Sequence, residues 1–293
     1  MRVLITGAGG QLGCALVALA PGDTDVLGTS HQQLDIADAA AVNSVLQEFR
    51  PVAIINAAGF TRVDDAEEEL DVARLANAFG PAVLAVACRN MGIWLVQVST
   101  DYVFDGEQSH PYAPSAATNP LSAYGVTKLE GEQAVTRELP AHSTVIRTSW
   151  LYAAEGRNFL NTMLRLMRSR PQLTVVSDQI GAPTSVTGLA RVLWALTRRR
   201  ACGLYHWCDS GVASWYDFAV AIAEEATAIG VLASSPSIVP IASAEYPTAA
   251  RRPRYSLLDK RDTERLLGIS ALHWRRALRE TLSGIAKEGA PPP

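Results

Sequence analysis

Tyr124 and Lys128 stand four residues apart in Tyr124-Gly125-Val126-Thr127-Lys128, at the start of a stretch with helical character. Four residues make about one helical turn, so a phenol and an ammonium share one face. A free phenol, with a pKa of ~10, is a poor acid–base group at neutral pH until a nearby cation stabilises its phenolate. Lys128 offers that cation. Thr100, beside Asp101 at the end of the apolar stretch Trp94 to Ser99, offers a hydroxyl to the same oxygen. The three together suit proton delivery to a carbonyl oxygen while a hydride reaches its carbon. A Tyr and a Lys one turn apart are, taken alone, an ordinary surface pair, so the pattern depends on what else surrounds it.

Gly7-Ala8-Gly9-Gly10-Gln11-Leu12-Gly13 supplies that context, because it follows an apolar strand and opens an apolar helix. Gly7 permits a tight turn, Gly10 lets backbone N–H groups approach a diphosphate, and Gly13 allows close helix–strand packing. The helix N-terminus then presents free donors and a favourable dipole to phosphates. A dinucleotide is the expected ligand, and Lys128 could also bond its nicotinamide ribose. The second strand ends in Thr29-Ser30-His31, with neither an acid for a 2′-hydroxyl nor an arginine for a 2′-phosphate. NADH and NADPH therefore both stay open. Asp35-Ile36 could flank the adenine, and Asp35 could equally cap the next helix.

The elements that must position these residues alternate. Strands are expected at Arg2 to Thr6, Asp25 to Thr29, Val52 to Asn56, Trp94 to Ser99 and Thr144 to Thr148. Helices are expected between them, at Gln11 to Leu19, Ala37 to Phe49, Glu67 to Asn90 with an interruption at Gly80-Pro81, and Tyr124 to Arg137. This order implies an α/β fold, a Rossmann-type doubly wound parallel sheet that binds ligands beyond the carboxyl ends of its strands. Residues 1–148, with about 172–200 returning, form the expected dinucleotide-binding domain. About 149–171 and 201–287 form a smaller C-terminal substrate-binding α/β domain. After Thr148, strands are expected at Thr174 to Val176, Leu204 to Cys208 and Val239 to Ile241, with helices at Asn158 to Arg168, Thr187 to Arg198, Tyr216 to Ile229 and Trp274 to Ile285. The tail 288–293 is expected to be disordered.

Composition narrows the class. The 293 residues are 48% hydrophobic and 19% charged, with a net charge of −3. That is ordinary for a chain with a sizeable core, and no basic field points to nucleic acid or an anionic membrane. Arg198-Arg199-Arg200 reads as a solvated helix end. No signal peptide is visible, and no apolar run reaches the ~20 residues of a spanning helix. Cys14, Cys88, Cys202 and Cys208 are scattered, as expected of a cytoplasmic protein. Cys202, His206 and Cys208 lie close in sequence but on a strand-like stretch without a fourth ligand, so no metal site is expected.

With these residues in view, the chain resembles the dTDP-4-dehydrorhamnose reductase family of extended short-chain dehydrogenases along nearly its whole length. The resemblance is carried by the Gly7–Gly13 loop, Leu34-Asp35-Ile36, the stretch Asn56 to Asp64, Ser99-Thr100-Asp101-Tyr102-Val103-Phe104-Asp105-Gly106, and Tyr124 to Lys128. Arg147-Thr148-Ser149-Trp150, the stretch Asp178 to Thr184, and Arg252-Pro253 with Ser256-Leu257-Leu258 complete it. It implies NADPH or NADH held by Gly10, Gln11, Leu12, Asp35, Ile36, Gly59, Phe60 and Thr61, with Ala57 and Ala58 in the same stretch. It implies Tyr124 as proton donor, Lys128 as its partner, Thr100 tuning the pair, and substrate contacts from Thr100, Asp101, Tyr102 and Trp150. The substrate implied is a dTDP-linked sugar with a 4-keto group. Some members form a magnesium-bridged dimer through glutamates, one of them two residues beyond the last glycine of the loop. That position is Ala15 here, so no metal is expected and a homodimer stays open. Two other readings remain: reduction of a different nucleotide-linked 4-keto-sugar, and a non-catalytic regulatory subunit on the same fold, against which the intact Thr100, Tyr124 and Lys128 argue.

Overall fold

Five of the apolar stretches become parallel strands in the computed structural model, which describes residues 1–288: β1 Arg2–Thr6, β2 Asp25–Thr29, β3 Ala53–Asn56, β4 Trp94–Thr100 and β5 Ser143–Thr148. A sixth, Gly203–His206, joins them. The spatial order is β2-β1-β3-β4-β5 and then Gly203–His206, with every pairing parallel. Every residue of β3 and β4 is buried, as befits strands covered on both faces. The chain runs one way from β1 to β2 and the other way to β3, so a ligand crevice opens where β1 and β3 end.

Helices cover both faces. On one side α1 (Gln11–Ala18) packs with helix Val186–Arg199, through Leu12, Leu16, Leu189 and Leu193, and the Trp194 indole donates to the Leu16 carbonyl at 3.0 Å. On the other, α2 (Ala39–Phe49) and the helix Ala123–Glu138 bury Val42, Leu46 and Val135 against the sheet. Asp38 caps α2 by accepting from the N–H groups of Ala40 and Ala41. Ser122 caps the second helix by accepting from Gly125 at 3.2 Å.

Several expectations change. The interruption expected at Gly80-Pro81 takes the form of a wider π turn at Leu75–Phe79, after which the α-helix Gly80–Met91 opens with Pro81 in its first turn. Proline lacks an N–H and crowds the carbonyl four residues back, and the wider turn relieves both problems. The resulting helix, Leu70–Met91, has 22 residues and is long and apolar enough to cross a membrane by length and composition. The expectation that no segment reaches that threshold is corrected, although this helix packs against α2 and Ala123–Glu138. Gly203–His206, expected among the C-terminal elements, borders β5 in the central sheet. Gln172–Val176, expected to return to that sheet, pairs instead with Ser237–Ile241.

The remaining C-terminal elements surround a separate apolar cluster that includes Tyr152, Leu160, Phe218, Ile222, Trp274 and Leu278. Helix Trp215–Ala228 begins with a capping box between Ser214 and Asp217. Helix Arg261–Leu267 has no counterpart in the sequence reading. Arg198 pairs with Asp23, Arg199 donates to the Leu266 carbonyl, and Arg200 ends its helix in the left-handed region at φ 47°. Of the tail 288–293, Glu288 ends the final helix and the rest lies outside the described residues.

Candidate functional site

Thr100 ends β4, paired with Thr148 of β5, and the chain turns at once through Asp101 to Val103. Tyr124 and Lys128 descend from the first turns of helix Ala123–Glu138, so a strand end and a helix start meet. Burial pushes the Tyr124 phenol up to about 12, the nearby Thr100 hydroxyl works downward, and the Asp101 charge works upward again. Lys128 does not contribute to this shift. Its buried Nζ donates to the Val98 carbonyl at 2.7 Å, and burial brings the ammonium down to about 8 against the upward pull of Glu132. Burial thus favours the protonated phenol, which is the form a proton donor needs.

Asp101 is buried beside them. Desolvation pushes its carboxyl up to about 7, opposed first by the nearby Ser256 and then by the Thr100 hydroxyl. Thr100 Oγ1 donates to Asp101 Oδ1 at 3.1 Å and accepts from the Tyr102 N–H at 3.2 Å. The Tyr102 ring meets Tyr124 edge-on, 5.8 Å between centroids and 78° between planes. Trp150 sits at φ 47°, a strained conformation for a side-chain-bearing residue, and lies flat on Trp215 with centroids 3.6 Å apart. A Cβ on Gly181 would fall 2.8 Å from Trp150 Cε2, so only glycine leaves room for the indole. Trp215 Nε1 donates to Gln179 at 3.2 Å. Nothing in the sequence signalled Trp215, because its contacts lie 36 and 65 positions away.

On the dinucleotide side, two glycines are required by the protein itself. Gly7 has φ 72° and a Cβ there would lie 2.6 Å from the Ala58 nitrogen, while one on Gly13 would lie 2.2 Å from the Gly7 carbonyl oxygen. Gly10 precedes α1 without any side-chain cap, and a Cβ there meets only the Gly7 oxygen at 3.4 Å. Exposed backbone at an uncapped helix start fits a diphosphate. Gln11 is engaged elsewhere, donating to the Arg157 carbonyl at 3.1 Å and accepting from Asn158 at 2.7 Å, so only its backbone is free for phosphate. Leu12 is core. Asp35 accepts from the Ala37 N–H at 2.9 Å while Asp38 takes the cap, and the Ile36 side chain is buried against Gly80.

Ala57, Ala58, Gly59, Phe60 and Thr61 follow β3. Asn77, in the π turn, holds this stretch in place. It accepts from the Phe60 N–H at 2.9 Å, donates to the Phe60 carbonyl at 3.0 Å and to Thr127 at 3.2 Å. A Cβ on Gly59 would lie 2.9 Å from Asn77 Oδ1 and 3.8 Å from Lys128 Nζ, which brings the stretch against the lysine. Phe60 is buried under the Arg62 guanidinium, 4.2 Å from its ring centroid, and Thr61 is exposed. Asn77 was missed because an amide inside an apolar helix looks like any other polar interruption.

A cavity of about 360 Å³ is lined by Asp105, Leu121, Gln179, Ser243, Arg252 and Arg254 among others. Cys202, His206 and Cys208 do not converge. Cys202 donates to the Pro140 carbonyl, Cys208 to that of Leu258, and His206 Nδ1 faces the Tyr112 carbonyl at 3.0 Å, with burial lowering its imidazole to about 3.

The family model described as the RmlD substrate binding domain matches residues 1–286. The dTDP-4-dehydrorhamnose reductase of Aggregatibacter actinomycetemcomitans is 42% identical, with 95% of this chain and 97% of that protein covered. The dTDP-4-keto-6-deoxy-D-glucose reductase of Streptomyces niveus is also 42% identical, with 94% and 95% covered. The solved dTDP-4-dehydrorhamnose reductase of Bacillus anthracis, in complex with NADP, superposes with a TM-score of 0.91 at 38% identity, covering 97% of this chain and 99% of that one.

Proposed function

Because the chain belongs to the RmlD substrate binding domain family, we propose that it is an NADPH-dependent reductase converting dTDP-4-dehydro-L-rhamnose to dTDP-L-rhamnose. The observation that supports this reading is the junction of β4, which ends in Thr100, with helix Ala123–Glu138, which carries Tyr124 and Lys128 one turn apart. When bound, the reduced nicotinamide supplies the hydride. Tyr124, protonated at neutral pH, donates its hydroxyl proton to the 4-keto oxygen as that oxygen gains charge. Thr100 orients the phenol and stabilises the phenolate left behind. Lys128, held at the Val98 carbonyl and facing Gly59, fixes the dinucleotide end of the site and supplies positive charge to it. The backbone at Gly10 to Leu12 and at Ala57 to Thr61 would hold the dinucleotide, and Asp101, Tyr102 and Trp150 the sugar nucleotide.

NADPH is preferred because no carboxylate stands at the end of β2 to repel a 2′-phosphate. Ser30 and the exposed His31 stand there instead, and the Bacillus anthracis relative was solved with NADP. We place the reaction in the cytoplasm. The sheet with its flanking helices is the dinucleotide-binding part, and the cluster around Phe218 and Trp274 the substrate-binding part. No metal takes part in this scheme.

A second reading, reduction of another nucleotide-linked 4-keto-deoxysugar, is supported by the equal identity to the Streptomyces niveus enzyme. A substrate panel decides between them. The purified protein should oxidise NADPH when dTDP-4-dehydro-L-rhamnose is added, and Tyr124→Phe should slow that rate by roughly 10²- to 10⁴-fold while leaving NADPH binding intact. Full activity in Tyr124→Phe would sink the mechanism. Turnover of a different keto-sugar alone would move the substrate, and turnover of none would favour the non-catalytic reading.

A further inference from the structure

Two stretches prominent in the sequence, Asn56 to Asp64 and Arg252-Pro253, end in charged residues that the reaction above does not use. They meet. Arg252 Nη1 and Nη2 donate to Asp64 Oδ1 and Oδ2 at 3.1 and 2.7 Å, across 188 residues of chain. The Ala250 N–H adds a third bond to Asp64 Oδ1 at 3.1 Å. A planar fork on a carboxylate is the strongest form of such a pair, and its geometry fixes both partners. Exposed single-contact ion pairs contribute little. Here the contact is two-pronged, and the arginine side chain is 19% exposed although the aspartate is 42% exposed.

Each partner sits next to a different half of the site. Asp64 follows Gly59-Phe60-Thr61 by three residues. The Arg252 charge bears on the Tyr102 phenol, opposing the upward push of burial on it, and the Tyr102 ring stands edge-on to Tyr124. Arg252 lines the cavity together with Arg254 and Gln179. The segment after it is tied down on its other sides. The Ile180 N–H donates to the Arg254 carbonyl at 2.7 Å, and a Cβ on Gly106 would lie 2.6 Å from the Arg254 nitrogen.

We propose that Asp64 and Arg252 form a clasp that positions Tyr102 and the 250–256 segment against the Gly59–Thr61 stretch, so that the sugar-nucleotide cavity takes its shape from the dinucleotide side. The pair touches neither reacting atom, so both are positioning residues. Without the bond to Asp64, Arg252 would leave Tyr102, and the wall of the cavity would lose its anchor on the loop after β3. The identity of the cavity's ligand rests on the function proposed above, whereas the clasp itself does not.

The test uses the full chain, Asp64→Asn and Arg252→Lys. Hydrogen exchange of the ligand-free proteins reads the clasp without reference to substrate: Asp64→Asn should raise exchange at both 59–61 and 250–256. NADPH binding alone, followed by fluorescence, should weaken by clearly less than the sugar-nucleotide KM rises, because only the 59–61 stretch loosens while the glycine loop and Lys128 are untouched. The KM for the sugar nucleotide should rise about tenfold with a smaller change in kcat, the signature of lost positioning of bound substrate. Arg252→Lys keeps the charge without the fork and should fall between wild type and Asp64→Asn. Unchanged exchange at 250–256, an unchanged KM, or a loss of NADPH binding as large as the rise in KM overturns the proposal. A wild type that turns over no dTDP-4-dehydro-L-rhamnose sinks the proposed function instead, and the exchange measurement still decides the clasp.

Discussion

On one wall of the candidate site, Thr100, Tyr124 and Lys128 are carried by a seven-residue strand and a sixteen-residue helix. On the other wall, Trp150, Gln179 and Arg252 are carried by turns and by strands of two residues, such as Leu151–Tyr152 and Ile180–Gly181. The first wall takes its precision from regular backbone hydrogen bonding and burial. The second takes it from single contacts between distant segments: an indole stack, an arginine fork, and isolated bridges such as Ile180 to Tyr255. Chemistry that every member of such a fold must perform belongs on the rigid wall, and recognition that differs between substrates belongs on the wall that a few substitutions can reshape.

The sharpest way to break this comparison is at the glycine loop, on the dinucleotide side of the rigid wall. Gly13→Ala places a methyl 2.2 Å from a backbone oxygen, so the loop must move. NADPH affinity should fall on the order of 100-fold, with a clear drop in thermal midpoint. Gly10→Ala meets only ordinary contact at 3.4 Å and should leave the midpoint nearly unchanged while weakening NADPH. Titration calorimetry and thermal melts on both variants check this. Equal losses of stability would mean that Gly10, too, serves packing rather than a ligand.

The two regions should also respond to pH in opposite senses. An aspartate ordinarily ionises near 3.8, and burial pushes Asp101 to about 7. Between these values the folded protein keeps a proton that the unfolded chain releases. The contribution of Asp101 is therefore full below pH ~4 and is lost as pH rises through about 7. In the C-terminal cluster the bonds from Arg279 and Arg275 hold Glu225 at about 2, against an ordinary value of 4.5. Its contribution is present above pH ~4.5 and is lost as pH falls through about 2. Thermal midpoints measured against pH should flatten between about 4 and 7 in Asp101→Asn, and only below 4.5 in Glu225→Gln. Crossed effects would show that the two regions do not unfold with independent titrations.

The same contrast governs what the sequence reveals. Strands β1 and β4, the glycine loop and the Tyr124–Lys128 pair are local patterns of apolar runs, turn residues and one-turn spacing, and each stands where it was expected. Gly203–His206 is equally strand-like, yet only long-range pairing with β5 decides which sheet it joins. Asn77 acts because a π turn aims it at Phe60, and hydrophobic periodicity does not distinguish that turn from an ordinary helical one. Trp215 and the partnership of Asp64 with Arg252 depend on contacts across the chain. Lys128 follows Tyr124 by one turn of helix Ala123–Glu138, as spacing suggests, but its bond to the Val98 carbonyl follows from burial that no spacing rule contains.

The smallest expected effect lies at the edge of the rigid wall, where β2 ends. Ser30 is half-buried, with its N–H donating to Gln33 Oε1 at 2.9 Å, and a Cβ on Gly9 would lie 3.6 Å from its own Cβ. It thus faces the glycine loop at the position where an acidic residue would grip an adenosine 2′-hydroxyl. Ser30→Asp adds a carboxylate there without touching Thr100, Tyr124 or Lys128. A 2′-phosphate would meet like charge across solvent, which costs on the order of 1 kcal/mol, while a 2′-hydroxyl would gain an acceptor. The ratio of kcat/KM for NADPH to that for NADH should therefore fall about tenfold, with kcat nearly constant for whichever dinucleotide is bound. An unchanged ratio would place the ribose elsewhere on the β2 end and leave His31 as the residue to vary. A fall in kcat with both cofactors would mean that this edge is mechanically joined to the Tyr124 junction, and the two walls would then be less separate than their construction implies.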